Sequence, residues 1–367
     1  MYDQIREDIF FIIIYTLVTG MAMMASCYLL LRRGNAFALD ITPPLRLRRW
    51  TAVLFASITL DRAWYMLILF HISSDSVKII DLVGGVLDSM TFFPLAITVL
   101  LTMLQDRRRP LWPVVVMMAP IVVGSAWSAV TRDYALLPFI YFLLMCIGII
   151  VYMVHAVRQY GRWLRDNYAD LEHKEVWQSF VVLAIMLLVF VIYAFTSEGV
   201  TFLYTMQVIV AVLVCYLLWR VETLSDLSLP VNDAEEVDTV EKVEDPAVSL
   251  SMRNNIGPLL KKHCEESRFY LEYDISLSRL AREIGINRHY LSHYFSSLGM
   301  NYNAYINDLR INHFVSLYRE AVKSNRSVTA KQLALECGYH SYSTFCYIIK
   351  RKTGLSVTAW MKGLGEP

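Results

Sequence analysis

Seven long apolar runs occupy the first 220 residues of this chain and restrict its fold more than any other feature. The runs lie near 9–31, 50–70, 79–104, 112–130, 135–157, 178–197 and 199–219. Each is close to the roughly 20 residues that a helix needs to cross the hydrocarbon core of a bilayer. Hydrophobic residues make up 56% of the chain, more than in an ordinary soluble domain. The pattern predicts an all-α fold in which residues 1–220 form a polytopic bundle of seven transmembrane helices.

Lysine and arginine are unevenly distributed among the loops that connect these runs. One set of loops contains 13 of them and the alternate set contains 3. Basic residues concentrate on the cytoplasmic side of membrane proteins. Seven spans with this bias place the N-terminus outside and the C-terminus in the cytoplasm. We therefore expect a multi-pass protein of the inner, or cytoplasmic, membrane.

Three ionisable residues lie inside the apolar runs, where burying a charge in lipid is costly. Asp61 and Arg62 fall in the second run and Asp88 falls in the third. Neighbouring antiparallel helices would bring Arg62 and Asp88 to a similar depth, so we expect these two to pair, with Asp61 nearby. Such a pair either fixes helix packing or forms a polar ligand site or switch, and the sequence leaves both interpretations open.

The composition changes abruptly after Arg220. Residues 222–252 contain nine acidic side chains and one lysine, a composition typical of a flexible tether. From residue 253 onward, 16 lysines and arginines outnumber 9 acidic residues, and a positive balance suits a surface that binds phosphates. These shifts predict three regions, which are a membrane sensor module over 1–220, an acidic linker over 221–252 and a DNA-binding domain over 253–367.

Two helix-turn-helix patterns lie within the C-terminal region, at 276–299 and at 329–354. In each, a hydroxyl side chain caps a short helix with one apolar face, and a second helix follows. A glycine makes the turn between the helices, Gly285 in the first unit and Gly338 in the second. The second helix of such a motif enters the major groove of DNA and is its recognition helix.

Two such units joined by one long helix, from Tyr302 to Ala321, resemble the DNA-binding domain of the AraC/XylS family. The matching stretches are LARE-IG-IN-YLS-YF, LG-YNAYINDLRI and LALECGY-S-STF-IIKRKTGLS. The resemblance covers about the last third of the chain. Two positions depart from the family pattern, since Val357 replaces a usual proline and Tyr347 stands where many members carry a basic residue. The resemblance implies a transcription regulator that binds double-stranded promoter DNA.

The resemblance also implies that the exposed faces of both recognition helices contact DNA. The expected contacts on the first helix are Arg288, His289, Ser292 and His293. Those on the second helix are Tyr342, Ser343, Cys346, Tyr347, Lys350 and Arg351, of which the last two would contact phosphates. The second helix either reads bases through hydroxyl and apolar contacts or mainly docks. No metal or cofactor is expected, because the two histidines have no acidic or thiol neighbour and the cysteines have no zinc spacing.

Together these features predict a membrane-embedded one-component transcription regulator, controlled by a signal at its membrane module. The alternatives are a transporter, or a membrane anchor that senses nothing, with a DNA-binding regulatory tail. An enzyme is not expected, since the sequence has no Gly-rich phosphate loop, HExxH or GxSxG motif. Besides DNA and the lipid bilayer, the expected partners are RNA polymerase, an unidentified small ligand or membrane partner, and a second copy of the chain.

Overall fold

Helices are the main secondary structure in the part of the chain that the structure describes. This computed structural model describes residues 7–32, 34–38, 41–69, 74–107, 109–131, 136–196, 199–227 and 255–365. Within these ranges there is no β-strand, and a single isolated bridge joins Tyr168 to Ser276. The predicted all-α class is therefore confirmed for the described residues.

The chain divides into two compact units, and the division does not follow the order of the sequence. The first unit consists of Met1–Tyr160 and Val176–Ser228. The second consists of Leu229–Pro367 together with a short stretch from the middle of the chain, Gly161–Glu175. We call this stretch the inserted segment. The charge and composition pattern does not predict it, since the segment lies between two apolar runs of the expected membrane module.

Eight helices are described in the first unit. They are α1 (Ile9–Leu31), α2 (Leu45–Tyr65), α3 (Ser74–Met90), α4 (Phe92–Met103), α5 (Trp112–Thr131), α6 (Leu136–Asn167), α7 (Trp177–Thr196) and α8 (Val200–Thr223). The last turns of α6, from Gly161 onward, belong to the inserted segment. Asp8 caps α1 by accepting a hydrogen bond from the Phe11 amide at 3.1 Å, which satisfies a donor that the helix cannot pair itself.

Four helical stretches among the described residues are long and apolar enough to cross a membrane, not the expected seven. They are Ile9–Leu31, Val83–Met103, Leu143–Asn167 and Val200–Thr223. Two further apolar stretches, Trp112–Ile121 and Trp177–Val189, lie within α5 and α7. Helix α2 is long enough, but it carries arginines at its start and Asp61 and Arg62 near its end. It therefore has no apolar stretch long enough to span the bilayer.

Arg62 lies in the interior of the first unit and is satisfied by neutral groups. Its side chain donates from Nε to the Thr19 hydroxyl at 2.9 Å and from Nη2 to the Tyr15 carbonyl at 3.1 Å. Nη2 also donates to the side-chain oxygen of Gln207 on α8. The guanidinium lies 4.2 Å from the centroid of the Tyr15 ring, an arrangement that stabilises a cation.

The prediction that Arg62 pairs with Asp88 is wrong, because the described hydrogen bonds of Arg62 go to other residues. Arg62 points toward α1 and α8, which supply its acceptors. Asp88 lies instead within hydrogen-bonding reach of Asp61 and of the Tyr65 hydroxyl. Equal depth in two neighbouring helices was the basis of the prediction, and depth does not determine which face of α2 a side chain leaves from.

The first unit extends past the expected domain boundary at residue 220. Glu222 in the last turn of α8 is fully buried and forms an ion pair with Arg48, with 3.1 Å between Nε and Oε1. Residues 224–227 stay packed on the unit, where the Gln105 side chain bonds to their backbone. The rest of the expected linker, 228–252, lies outside the described residues.

The second unit contains seven helices in its described C-terminal part. They are α9 (255–266, π-helical over Lys261–Glu266), α10 (Leu277–Ile284), α11 (Arg288–Ser297), α12 (Tyr302–Lys323), α13 (Ala330–Glu336), α14 (Tyr342–Thr353) and α15 (Val357–Gly365). Two hydrophobic cores form around them. The first core includes Ile306 of α12 and Phe295 of α11, and the second includes Phe314 of α12 and Phe345 of α14. Helix α12 therefore contributes to both cores and joins them.

Both helix-turn-helix pairs form with the predicted caps and turns. Ser276 accepts a hydrogen bond from the backbone at the start of α10, and Thr329 forms the predicted capping box with Gln332 at the start of α13. Gly285 has φ +77° in the first turn and Gly338 has φ +83° in the second. This left-handed backbone conformation favours glycine, which explains why the sequence places glycine at both turns.

Candidate nucleic-acid interface

The first recognition helix, α11, buries one face and exposes the other. Leu291 and Phe295 are buried in the first core. His289 and His293 lie on the opposite face and are exposed, with the half-buried Ser292 between them. This arrangement leaves two imidazoles and a hydroxyl that can form hydrogen bonds with base edges.

The second recognition helix, α14, exposes hydroxyl and basic side chains. Ser343 is exposed near its start and Tyr347, 59% exposed, lies one turn further on. Lys350 and Arg351 are exposed in its last turns. Their positive charges lie where DNA phosphates can be bound without regard to sequence.

Two predicted contacts on α14 are partly buried. Tyr342 and Cys346 pack against the second hydrophobic core and form a hydrogen bond with each other. Burial and this hydrogen bond raise the pKa of Tyr342. Less of each side chain is therefore available to DNA than the helical spacing predicts, because the second core extends beneath the start of the recognition helix.

The inserted segment supplies the counterion for a buried arginine of the connecting helix. Arg310 on α12 is fully buried, and its Nη1 donates to Oδ1 of Asp170 at 2.7 Å while Nη2 donates to Oδ2 at 3.3 Å. Its remaining donors bond to the backbone carbonyls of Tyr270 and Glu272, both at 2.8 Å. Asp170 is itself only 3% exposed. Since an unpaired buried charge is strongly destabilising, Asp170 is part of what folds this domain.

The backbone of the inserted segment is also built into the domain. Ala169 is buried in the first core, and its amide donates to the Ile275 carbonyl at 3.2 Å. The side-chain amide of Asn303 on α12 donates to the carbonyls of Tyr168, at 3.3 Å, and Ala169. These contacts fix the path of the segment across α12, beside the entrance to the first helix-turn-helix unit.

Arg288, predicted as a DNA contact, is held by the inserted segment at the start of α11. Its Nε donates to Oδ1 of Asn167 at 3.1 Å, and its Nη2 donates to the same oxygen. Arg288 is half-buried and Asn167 is 7% exposed. The guanidinium is therefore less free to reach a phosphate or base than the sequence predicts.

Glu172 of the inserted segment lies at the start of α14. Its Oε2 accepts hydrogen bonds from the hydroxyls of Ser341, at 2.8 Å, and Thr344, at 2.5 Å. Ser341 is also the N-cap of α14. Burial opposes ionisation of Glu172, but these two hydroxyls and nearby His173 and His340 hold its pKa below the ordinary value. An ionised carboxylate thus lies at the positive end of the second recognition helix.

Lys174 completes the contacts of the inserted segment. Its ammonium lies 2.8 Å from Oδ1 of Asp274, just before α10. Burial opposes ionisation of Asp274, but the charge of Lys174 and the hydrogen bond between them lower the pKa of Asp274.

The sequence prediction missed every one of these contacts. The prediction used only the basic residues of this loop, as evidence for its side of the membrane. The available signal was the set of polar side chains at short spacing just after an apolar run, namely Asn167, Asp170, Glu172 and Lys174. Nothing in that spacing identifies their partners, which lie 100 or more residues away, because those partners meet only in the folded unit.

Comparison with known proteins supports the C-terminal assignment. A family model described as a helix-turn-helix domain matches residues 280–363. The matched region contains both recognition helices and α12. No curated protein and no solved structure matches the chain. The C-terminal part of this chain therefore carries a helix-turn-helix domain of the AraC type, a regulatory rather than catalytic domain that suggests DNA-binding transcription regulation.

Proposed function

We propose that this chain is a membrane-embedded one-component transcription regulator that binds promoter DNA through both recognition helices and responds to a signal at its first unit. The observation that carries the proposal is the second unit itself. Helix α12 contributes buried residues to both hydrophobic cores, so it joins the two recognition helices within one folded domain. Two such helices suit successive major grooves, about 34 Å apart on one face of the duplex.

The chemistry of the exposed faces supports DNA as the ligand. His289 and His293 offer hydrogen-bonding groups for base edges on α11, and Ser343 offers a hydroxyl on α14. Lys350 and Arg351 place two positive charges at the end of α14, where they contribute the salt-dependent part of binding. The first helix thus supplies more of the sequence readout, and the second supplies more of the attraction to the backbone.

The membrane location rests on separate observations. Four described helices are long and apolar enough to span a bilayer, and the loops that carry most of the basic residues define the cytoplasmic side. The second unit belongs on that side, where DNA is. The chain enters the inserted segment from α6 and leaves it toward α7, so this loop shares the cytoplasmic location.

The signal would act on the polar interior of the first unit. Arg62 is bonded there to neutral groups from α1 and α8, while Asp61 and Asp88 lie beside each other. Ionisable residues at membrane depth commonly mark functional sites, and we propose these three residues as a ligand site or switch. RNA polymerase, a small ligand and a second copy of the chain remain predicted partners.

Binding of DNA by the full chain in lipid nanodiscs tests the proposal. The probe is a random-sequence duplex of about 40 base pairs, long enough to present two successive major grooves. We expect binding whose affinity falls linearly with salt on logarithmic axes, with a slope of about 0.9 per neutralised phosphate. Absence of binding even at low salt would contradict the proposal.

A matched pair of variants shows whether binding uses the proposed face. Neutralising Lys350 and Arg351 to glutamine should lower the salt slope by about 2. The control neutralises two exposed residues, Lys323 at the end of α12 and Arg326 in the loop that follows, and should leave the slope nearly unchanged. Equal effects of the two double variants would show that binding follows net charge and not this interface.

A further inference from the structure

The inserted segment contacts the first turn of both recognition helices, and we propose that it competes there with the phosphates of DNA. Asn167 holds Arg288 of α11, and Glu172 holds the Ser341 and Thr344 hydroxyls of α14. The segment would thus lower the affinity of the domain for DNA until it is displaced from these two ends. This inference rests on the proposed function, because it concerns regulation of the same interface.

At the first end, the contested group is the guanidinium of Arg288. The N-terminal end of a recognition helix lies close to the duplex in helix-turn-helix complexes. Arg288 now donates twice to one neutral amide oxygen, that of Asn167. A phosphate accepts from the same donors and adds a negative charge, which makes it the stronger acceptor. DNA would therefore draw Arg288 away from Asn167, and the lost contact would weaken the net affinity.

At the second end, the contested groups are the hydroxyls of Ser341 and Thr344. They donate to Oε2 of Glu172, beside the backbone amides at the start of α14. This carboxylate lies where a phosphate oxygen would bind to the same helix terminus. Two anions cannot occupy one set of donors, and the charge of Glu172 would also repel an approaching phosphate. Glu172 must therefore move before this end of the helix can bind the DNA backbone.

The ion pair between Asp170 and Arg310 should persist when DNA replaces the contacts that Asn167 and Glu172 make. Asp170 and Arg310 are almost completely buried and bonded at both carboxylate oxygens, whereas Arg288 and Glu172 are half-buried. Asp170 thus keeps the segment bound to the domain when Asn167 and Glu172 release their partners on the two recognition helices. Because α6 leads into the segment and α7 follows it, a change in those helices would reach both recognition helices through this loop.

DNA affinity of the full chain in nanodiscs tests the competition, with the random-sequence duplex as the probe. Asn167→Ala releases Arg288 without changing any charge, and Glu172→Gln removes the carboxylate from α14. Each should tighten DNA binding by about threefold to tenfold, the net worth of one ordinary hydrogen bond. The control is Asp166→Asn, which removes one charge from an exposed position of the same segment and should change affinity by less than about twofold.

Several outcomes would overturn the inference while leaving the proposed function intact. One is a wild type that binds DNA as tightly as Asn167→Ala and Glu172→Gln do. Another is an equal gain for Asp166→Asn, which would indicate general charge repulsion. If neither the wild type nor any variant binds DNA at low salt, the proposed function fails and the inference fails with it.

A second measurement does not depend on how well the variants fold. Hydrogen exchange of the wild-type chain is compared without DNA and with saturating duplex. We expect faster exchange at the backbone amides of Lys174 and Glu175, which donate to the Leu171 carbonyl, when DNA is bound, because Glu172 in the same turn has been displaced. Unchanged or slower exchange in this stretch would overturn the competition.

Discussion

The two helix-turn-helix units share one backbone design but differ in what surrounds it. Each begins with a hydroxyl N-cap, turns at a glycine with positive φ and continues into a recognition helix. Around Gly285 there is open space, whereas a Cβ on Gly338 would lie 2.4 Å from the Leu271 carbonyl oxygen. The first recognition helix exposes histidines, and the second exposes Tyr347 and a basic C-terminal end.

We propose that this difference assigns two tasks to the same motif. The first helix-turn-helix unit has a turn with open space around it and a polar exposed face on its recognition helix, which suits sequence readout. The second helix-turn-helix unit has a turn packed against the rest of the domain and a charged helix end, which suits docking on the DNA backbone. The inserted segment contacts both helix-turn-helix units. Its Asn167 contacts Arg288 of the first, and its Glu172 contacts Ser341 of the second. The following predictions test this division, beginning with the largest expected effect.

Removing Asp170 should lower the stability of both helix-turn-helix units together, because Arg310 lies on α12, the helix that joins them. Asp170→Ala leaves a buried guanidinium without its counterion, and we expect the free energy of unfolding of the second unit to fall by about 3–5 kcal/mol. Thermal unfolding and hydrogen exchange of residues 255–365 in the full chain measure this loss.

The exposed Asp166 provides the control for this prediction. Asp166→Asn should change stability by no more than about 0.5 kcal/mol. Combining Asp170→Leu with Arg310→Met should recover much of the loss, since an apolar pair needs no charge compensation. A loss confined to one helix-turn-helix unit in Asp170→Ala would break the idea that α12 couples them.

The turn glycines should respond unequally to alanine. Gly285→Ala adds a Cβ in open space and is penalised only for the positive φ, by about 1 kcal/mol. Gly338→Ala adds the same penalty and a collision with backbone at Leu271, so we expect a loss of about 3 kcal/mol. Thermal unfolding of the two variants compares them directly. Equal losses would show that the two turns are equivalent.

Base preference should depend on the first recognition helix more than on the second. His289→Ala should relax preference at one position in the first groove by about 1–3 kcal/mol of discrimination. Tyr347→Ala should produce a smaller change, and Arg351→Gln should weaken all sequences alike. Selection of binding sites from a random duplex pool, repeated for each variant, measures the preference. A larger change for Tyr347→Ala would reverse the assigned roles.

The smallest expected effect is the pH dependence of the Glu172 contact. The folded pKa of Glu172 is lowered, so its stabilisation is complete above the ordinary glutamate pKa and is lost as the pH falls through the lowered value. The stability difference between wild type and Glu172→Gln, about 1 kcal/mol or less because the site is half-exposed, should therefore shrink under acidic conditions. A difference that grows on acidification would contradict the assigned charge state.

The local structure of the second unit could be predicted well from its sequence. Helix caps and turn glycines act over a few residues, so Ser276, Gly285, Thr329 and Gly338 specify the observed helices almost by themselves. The first compact unit, residues 1–160 and 176–228, was less predictable. Apolar runs indicate helices, but four and not seven of the described stretches meet the length and apolarity of a span. The charges at both ends of α2 explain why that run does not qualify.

Contacts between distant parts of the chain could not be predicted. Arg310 was visible in the sequence as part of the family-like connecting helix, but nothing near it indicates that its counterion is Asp170, 140 residues earlier. Arg62 shows the same limit in the first unit, where a plausible carboxylate at equal depth was not the partner. Which long-range pair forms depends on the direction in which each side chain leaves its helix.

A footprint of the nanodisc-embedded full chain on its selected DNA site tests the central claim most directly. If both recognition helices of the chain enter DNA together, two protected stretches should lie on one face of the duplex, about 10–10.5 base pairs apart from centre to centre. Protection of one stretch alone, or of none at saturating protein, would contradict the account.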